Sequence, residues 1–297
     1  MKVTNDEVLQ PPIQTVYTDD DGDHRSREDG KKEGGHSPVL PPELEQQIFT
    51  MGFHEDEQMV ECCNLLLVAK RAFEWIAPLV YQVVIIHSAR RWPPMGLKSH
   101  KLPRYGRYVH HLLLEDGRQH EYLTHCPNIT NLALVHLRDT SAMHSDGWKA
   151  LATLPLRELS IDIRNLPTTP QLILLFSRIT HLDLAYFAPW PWHALDALSH
   201  FTSLTHLMMM SDSCTDDDIN RITNRIPHLK VFIIVRYVRE YKMFETVWID
   251  KLSDPRVVTL TCTFVAHWQA TAQGLDSENP WLFAEGVIAR RQRYSDC

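Results

Sequence analysis

The sequence is short of the residues that several common functional signals require. It has only 11 glycines in 297 residues and contains neither G-x-x-x-x-G-K-[ST] nor G-x-G-x-x-G, the usual phosphate-cradling loops. It has no run of about 18 apolar residues, and its first residues, MKVTNDEVLQ, lack the apolar segment of a secretory signal. We therefore expect no nucleotide-driven chemistry, no membrane span and no export, and a cytoplasmic or nuclear location.

Paired metal or redox cysteines and a strong positive charge are also missing. The six cysteines form no C-x-x-C, which favours reduced thiols. The formal charge is -7, so the nucleic-acid backbone would repel the chain as a whole. The segment 90–111 holds six Lys or Arg and no acid, and we interpret it as a surface insertion after the first strand; a basic docking patch for an acidic partner is the alternative. Nucleic acid is an unlikely partner.

The N-terminal part divides into two regions of different composition. Residues 1–38 combine nine acidic with five basic side chains and little apolar periodicity, which predicts a disordered acidic tail. Residues 39–80 carry apolar residues at helical spacing, with Pro41 and Pro42 where a first helical turn tolerates them. This spacing predicts a small all-α unit.

Beyond residue 80, the pattern apolar-x-x-apolar-x-apolar recurs at intervals of 20 to 29 residues. Leucine fills the fourth position in six of the eight copies, and the intervals are those of leucine-rich repeats. The hexads are VYQVVI (80–85), VHHLLL (109–114), ITNLAL (129–134), LRELSI (156–161), ITHLDL (179–184), LTHLMM (204–209), LKVFII (229–234) and VVTLTC (257–262). We predict an α/β solenoid over 81–272, with parallel strands alternating with helices.

The linking segments are long enough for a turn and a short helix. In the clearest one, Thr215 and Asp218 stand in capping-box spacing before Ile219, Ile222 and Ile226. The last segment, 273–297, has Pro280 at a plausible first helical position and predicts a helix that caps the solenoid.

The third and fifth residues of each hexad point away from the leucines, because side chains alternate along a strand. Stacked strands would align them in two columns that end at Thr259 and Thr261. Solenoids commonly bind partners on this face. The predicted partner-binding residues are His111, Asn131, Glu158, Ser160, His181, Asp183, His206 and Met208; a plain solvated face is the alternative.

Two chemical hypotheses about the columns, a hydrolase triad and a zinc site, have less support than partner binding. Ser160, His181 and Asp183 are the residue types of a hydrolase triad, but no nucleophile elbow or glycine-rich oxyanion loop accompanies them. His181, His206 and Asp183 are potential zinc ligands, although a polar ladder suits them better. We expect no enzyme activity, metal or cofactor.

The unit LPPELEQQIF, together with the later LLLVAKRAFEWIAPLVY, resembles the F-box, and the chain from about residue 40 resembles fungal F-box-like proteins with degenerate leucine-rich repeats. The resemblance implies that residues 39–80 dock on the Skp-type adaptor of a cullin-RING ubiquitin ligase. The matching positions are Leu40, Pro41, Leu44, Ile48, Phe49, Val68, Lys70 and Trp75, and all but Lys70 are expected to form the adaptor-binding surface.

The function that follows is a substrate-recognition adaptor of a Skp-cullin-F-box ligase, in which the repeat sheet selects an unknown target protein. The alternative is a stand-alone interaction scaffold whose box-like helices only cap the solenoid. A hydrolase or metalloprotein is the third and weakest hypothesis.

Overall fold

The structure is a computed structural model that describes residues 40–51, 70–87, 91–93, 101–115, 119–135, 145–162, 173–184, 196–211, 214–236, 245–246, 254–261 and 264–295. The predicted acidic tail, 1–38, lies outside these residues, as does Val68. The residues from Pro42 onward belong to one compact unit.

One sheet of ten strands organises this unit, in the order β2-β1-β3-β4-β5-β6-β7-β8-β10-β9. Eight strands are parallel to their neighbours, and the two-residue strands β2 and β9 pair antiparallel at the edges. The strands are β1 (Val83–Ile86), β2 (Arg91–Trp92), β3 (His111–Glu115), β4 (Asn131–Val135), β5 (Glu158–Ile161), β6 (His181–Leu184), β7 (His206–Met210), β8 (Val231–Arg236), β9 (Glu245–Thr246) and β10 (Val257–Thr261). The predicted α/β class with parallel strands alternating with helices is confirmed, and it is consistent with a solenoid-like fold.

Nine α-helices lie among the described residues, together with 3-10 turns at Gly106–Tyr108, Asp196–His200 and Asp276–Glu278. The helices are α1 (Pro42–Met51), α2 (Lys70–Tyr81), α3 (Leu102–Tyr105), α4 (Gln119–His125), α5 (Ser145–Thr153), α6 (Ile173–Phe176), α7 (Asp216–Arg225), α8 (Phe264–Gln273) and α9 (Pro280–Ser295).

The hexads set the register over the middle of the sheet. His111 pairs with Asn131, and the same row continues through Glu158, His181 and His206 to Val231, as predicted. The fourth-position leucines of these strands are buried against the helices that connect them. The described helices between β3 and β8 pack on one face of the sheet, which is typical of parallel strands joined by crossover connections.

The predicted frame is wrong for the first and last hexads. Val84, not Val83, pairs with Leu112, so the first hexad is displaced by one residue. Phe232 pairs with Val257, not Leu260, so Thr259 and Thr261 do not continue the columns. Both strands are apolar at successive positions, and the hexad therefore fits them in more than one frame.

The clearest linking helix forms as its sequence predicts. In α7, the Asp218 amide donates to Thr215 Oγ1 and the Thr215 amide donates to Asp218 Oδ2, which completes a capping box. Ile219 and Ile222 are buried in the core on the helical side of the sheet. The cap supplies partners for amides that the first turn otherwise leaves free.

Replacing Thr215 with alanine should lower the free energy of unfolding by about 1 kcal/mol, the usual cost of losing an N-cap oxygen. Urea unfolding of the two proteins measures the difference. Asp217→Ala is a neighbouring control, because Asp217 is exposed in the same first turn but is not part of the capping box. Equal losses from both substitutions would contradict the capping role of Thr215.

The second face of the sheet is covered, which corrects the prediction of an open face. Helix α8 packs Trp268 and Ala272 on Ile85, Leu113 and other residues of β1, β3 and β4. Helix α9 packs Trp281, Ala284, Val287 and Ile288 on apolar residues of β7, β8 and β10. The solenoid assigned to 81–272 therefore includes residues 264–272 that belong instead to a covering helix.

The C-terminal helix begins at Pro280 as predicted, but it lies on the sheet face and contacts β8 and β10. The physical reason is that these strands are apolar on both sides. Met208, Ile233 and Val258 would leave a large apolar surface in water if α9 were absent. The chain therefore forms a third layer from its own C-terminal residues.

Candidate functional site

A row of polar side chains crosses the second face of the sheet between the two apolar patches that α8 and α9 cover. We call it the polar strip; it consists of Asn131, Glu158, Ser160, His181, Asp183 and His206. Parallel pairing in register places these residues on neighbouring strands, β4 to β7. Polar groups are expensive to bury without partners, so their position under two helices points to a specific role.

The structure brings the predicted partner-binding residues to one face, but not to an open surface. Asn131, Ser160, Asp183, His206 and Met208 are buried, whereas His111, Glu158 and His181 keep partial exposure. Met208 packs in the apolar cluster under α9 rather than in the polar strip. Partner binding by these residues stays a prediction, and any partner must reach them past α8 and α9.

On the α8 side, two hydrogen-bonded contacts connect the helix to the polar strip. Trp268 Nε1 donates to Asn131 Oδ1 at 2.9 Å, and Asn131 Nδ2 donates in turn to Glu158 Oε2 at 2.8 Å. His267 Nε2 lies 3.4 Å from Asp183 Oδ2, and both side chains are buried. Strip residues on three strands thus contact α8 directly or through Asn131.

On the α9 side, aromatic and acidic side chains meet the two histidines of the polar strip. The rings of His181 and His206 stack with centroids 4.1 Å apart, and Trp281 meets both rings nearly edge-on. Glu285 Oε1 lies 3.0 Å from His206 Nε2, on the edge of the ring away from Nδ1, which contacts Thr205 Oγ1 at 2.8 Å. These contacts fix the orientation of both rings.

Burial keeps most of the strip's ionisable groups uncharged. It raises the pKa of Glu158 to about 7, which favours the protonated carboxyl. Burial and the neighbouring His206 lower the pKa of His181 to about 3, and burial with the neighbouring His110 lowers that of His111 to about 4. The pKa of His206 is also lowered, chiefly by burial, although Glu285 opposes the shift. The histidines of the strip therefore contribute no positive charge near neutral pH.

Replacing His181 with phenylalanine should make the free energy of unfolding less dependent on pH below neutrality. A histidine whose folded pKa is about 3 stabilises the fold fully above its ordinary pKa of 6.5, and this contribution is lost as the pH falls from 6.5 towards 3. In that window the free energy of unfolding should rise with pH more steeply for the wild type than for the variant, by up to about 1.4 kcal/mol per pH unit. This is the slope that corresponds to the uptake of one proton on unfolding.

Urea unfolding at a series of pH values from 4 to 8 measures this difference between the two proteins. Glu158, whose folded pKa is raised, acts with the opposite sign between 4.5 and about 7, but it is present in both proteins and cancels. Phenylalanine retains a ring to stack on His206. Parallel slopes for the two proteins would contradict a buried, neutral His181.

The geometry does not assemble the hydrolase arrangement. Asp183 is paired with His267, and His181 Nδ1 contacts Thr180 Oγ1 at 3.0 Å instead of orienting on Asp183. Among the described residues, no group of three or more His, Cys, Asp or Glu is placed to hold a metal ion. Cys126 and Cys214 are free thiols, and burial raises the pKa of each to about 12, which keeps them protonated.

The residues predicted to bind the ligase adaptor lie on different sides of α1 and α2. Leu44 and Ile48 are exposed on α1, which has no buried residue, and Leu40 and Pro41 before it are exposed as well. Phe49 turns towards α2, where its ring lies 6.3 Å from that of Trp75. Leu44, Ile48 and the exposed Met51 fall within an arc of about 60° on the helix, at 100° per residue. We call these three residues the α1 stripe.

The basic segment predicted as a surface insertion is partly in the core. Leu102 and Tyr105 are buried, and Tyr105 stacks on Tyr81 with centroids 4.8 Å apart. Arg104 lies over the Tyr105 ring, and Arg107 lies over Tyr108. Arg104 and Arg107 therefore contact the protein's own aromatic rings.

Sequence reasoning missed the residues that cover the polar strip: His267, Trp268, Trp281 and Glu285. They fall in segments assigned to the solenoid end and to a cap. The signal was present in the strands, because Leu113, Ala133 and Ile233 occupy outward positions with apolar side chains. Strands that are apolar on both sides are covered on both sides.

Comparison with known proteins adds no family assignment. No protein-family model matches the chain, and no curated protein is significantly similar to it. Within the described residues, no helix is both long and apolar enough to cross a membrane.

Proposed function

We propose that this protein is a non-enzymatic substrate-recognition adaptor of a cullin-RING ubiquitin ligase of the Skp-cullin-F-box type. In this proposal α1 docks on the Skp-type ligase adaptor, and the solenoid-like unit holds the target protein. The observation that carries the proposal is the α1 stripe. Leu44, Ile48 and Met51 are 45%, 57% and 73% exposed at i, i+4 and i+7 of one helix.

An exposed stripe of this kind favours helix docking. Amphipathic helices bind partners through apolar anchors at i, i+4 and i+7. Three large apolar side chains side by side on one helix form an exposed apolar patch, and such patches mark interaction sites. The other side of α1 is held against α2, because Arg71 Nη2 donates to Glu45 Oε1 at 2.8 Å and Phe49 approaches Trp75. The stripe is thus presented on a helix whose orientation is fixed.

The stand-alone scaffold remains a second candidate because α2 is part of the main core. Ile76, Ala77, Val80 and Tyr81 pack with the residues of β1 and β3, as expected of helices that cover the end of a sheet. Such a role needs α2, but it gives no reason for the α1 stripe to be apolar. Docking on the ligase adaptor explains the apolar α1 stripe and is compatible with the core contacts of α2.

Co-expression of the full chain with a fungal Skp-type adaptor, followed by size-exclusion chromatography, tests the proposal. Ligase recruitment predicts that the two proteins elute together at equal stoichiometry. Separate elution of two folded proteins would reject the ligase role and leave the scaffold.

A further inference from the structure

A cleft opens at the polar strip where α8 and α9 leave the sheet uncovered. Its walls include Glu158, His181, Asp183, His267, Trp268 and Trp281. The cleft is small, with room for about one water-sized group, and it is partly open to solvent. The cleft therefore admits a small polar group that enters from outside.

Asp183 gives the cleft an unsatisfied hydrogen-bond acceptor. The residue is 3% exposed, and its Oδ2 faces His267. Its Oδ1 is buried and has no hydrogen-bond partner among the described residues. A buried carboxylate oxygen without a donor is costly, so a group that brings N–H donors to Asp183 would stabilise the site.

The charges around the cleft favour a cation. Glu158 and Asp183 contribute two carboxyl groups, of which Glu158 ionises only as the pH rises through about 7, whereas the facing His181 is kept neutral by burial. His267 lies against Asp183, and the next histidine, His206, has Glu285 on its outer edge. Carboxyl groups thus outnumber the cations available within the polar strip, and water is a weaker partner for them than a positively charged donor.

The size and the lining residues of the cleft favour one type of cation over others. The small size of this space favours an ammonium head, which is compact, over a planar guanidinium or a quaternary ammonium. The indoles of Trp268 and Trp281 line the same space and give it apolar walls. An ammonium on a flexible aliphatic chain fits this arrangement, because the chain can extend to solvent through the open side of the cleft.

We propose that this cleft binds the ε-ammonium group of a lysine side chain presented by the target protein, with Asp183 and Glu158 accepting its hydrogen bonds. The inference rests on the proposed function only in assigning the lysine to the target of the ligase. The cleft and the α1 stripe use different residues, so each can fail independently.

Titration of the full chain with Nα-acetyl-lysine methylamide, followed by tryptophan fluorescence and calorimetry, tests the proposal. The expected result is saturable binding that n-butylammonium reproduces, whereas n-butanol and tetramethylammonium do not bind. Binding should tighten from pH 6 to pH 8, because the pKa of Glu158 is about 7 in the free protein and its carboxyl ionises in this range.

Asp183→Asn should weaken lysine binding about tenfold or more, the loss expected for a charge-assisted hydrogen bond. Glu158→Gln provides a second variant at a partly exposed position if Asp183→Asn does not fold. Asp217→Asn, an exposed substitution on α7, is the control and should bind as the wild type does.

Several outcomes would overturn the proposal. These are the absence of saturable binding, which would leave the cleft as a water site; equal binding of butanol; and wild-type affinity in a folded Glu158→Gln or Asp183→Asn variant. Binding of n-butylammonium without binding of the lysine derivative would also reject a protein side chain as the ligand. None of these outcomes affects co-elution with the Skp-type adaptor, which depends on α1.

Discussion

Replacing Leu44 and Ile48 together with aspartate should weaken binding of the Skp-type adaptor at least 100-fold and leave the protein folded. Both side chains belong to the α1 stripe and are about half exposed in the free chain. At an apolar interface each aspartate would lose its hydration without gaining a partner, at a cost of several kcal/mol in total. The free chain loses little, because neither side chain is part of the core.

The control is Gln46→Asp, which introduces one negative charge, half that of the double variant, on the other side of the same helix. Gln46 is exposed and lies about 160° to 200° around α1 from the stripe residues Leu44 and Ile48, at 100° per residue. Calorimetric titration of the adaptor should give wild-type affinity for this variant. Equal affinities of the wild type and the Leu44→Asp/Ile48→Asp variant would show that the stripe does not contact the adaptor.

Replacing Trp281 with alanine should lower the free energy of unfolding by about 3 to 5 kcal/mol, the usual cost of removing a buried large aromatic side chain. Trp281 is 8% exposed, and it contacts both histidine rings of the polar strip as well as the apolar patch under α9. Its removal leaves a cavity where the polar strip meets that patch. The substitution tests whether α9 is an integral layer of the fold.

The neighbouring Leu282→Ala is the control, since Leu282 is 44% exposed on the same turn of α9. Its expected cost is within about 0.5 kcal/mol, as for most surface substitutions. Urea unfolding of the three proteins gives the comparison. Similar losses for Trp281→Ala and Leu282→Ala would mean that α9 does not pack on the sheet in solution.

The sequence was sufficient to predict the middle of the sheet and its register. From Leu112 to Phe232, each strand has a bulky apolar residue at the fourth hexad position, because the first, fourth and sixth positions face the connecting helices. At β1 and β10 both faces are apolar, so the same pattern fits more than one frame and the predicted frame was wrong. The hydrophobic pattern does not define the frame of a strand when no polar side chain marks its outer face.

The candidate site was predictable only in its sheet residues. Glu158, His181 and Asp183 follow from strand alternation, which needs no tertiary information. The covering residues His267, Trp268, Trp281 and Glu285 come from helices distant in sequence. Their docking position depends on which apolar patch each helix buries, and a local pattern does not specify that choice.

In the proposed complex, the ligase adaptor binds α1, and α8 and α9 stay packed on the sheet. Hydrogen–deuterium exchange of the full chain with and without the Skp-type adaptor tests this placement most directly. The predicted result is strong adaptor-dependent protection of the amides of α1, with no change in α8, α9 or the strands β5 to β7. Protection of α8, α9 or those strands without protection of α1 would contradict it.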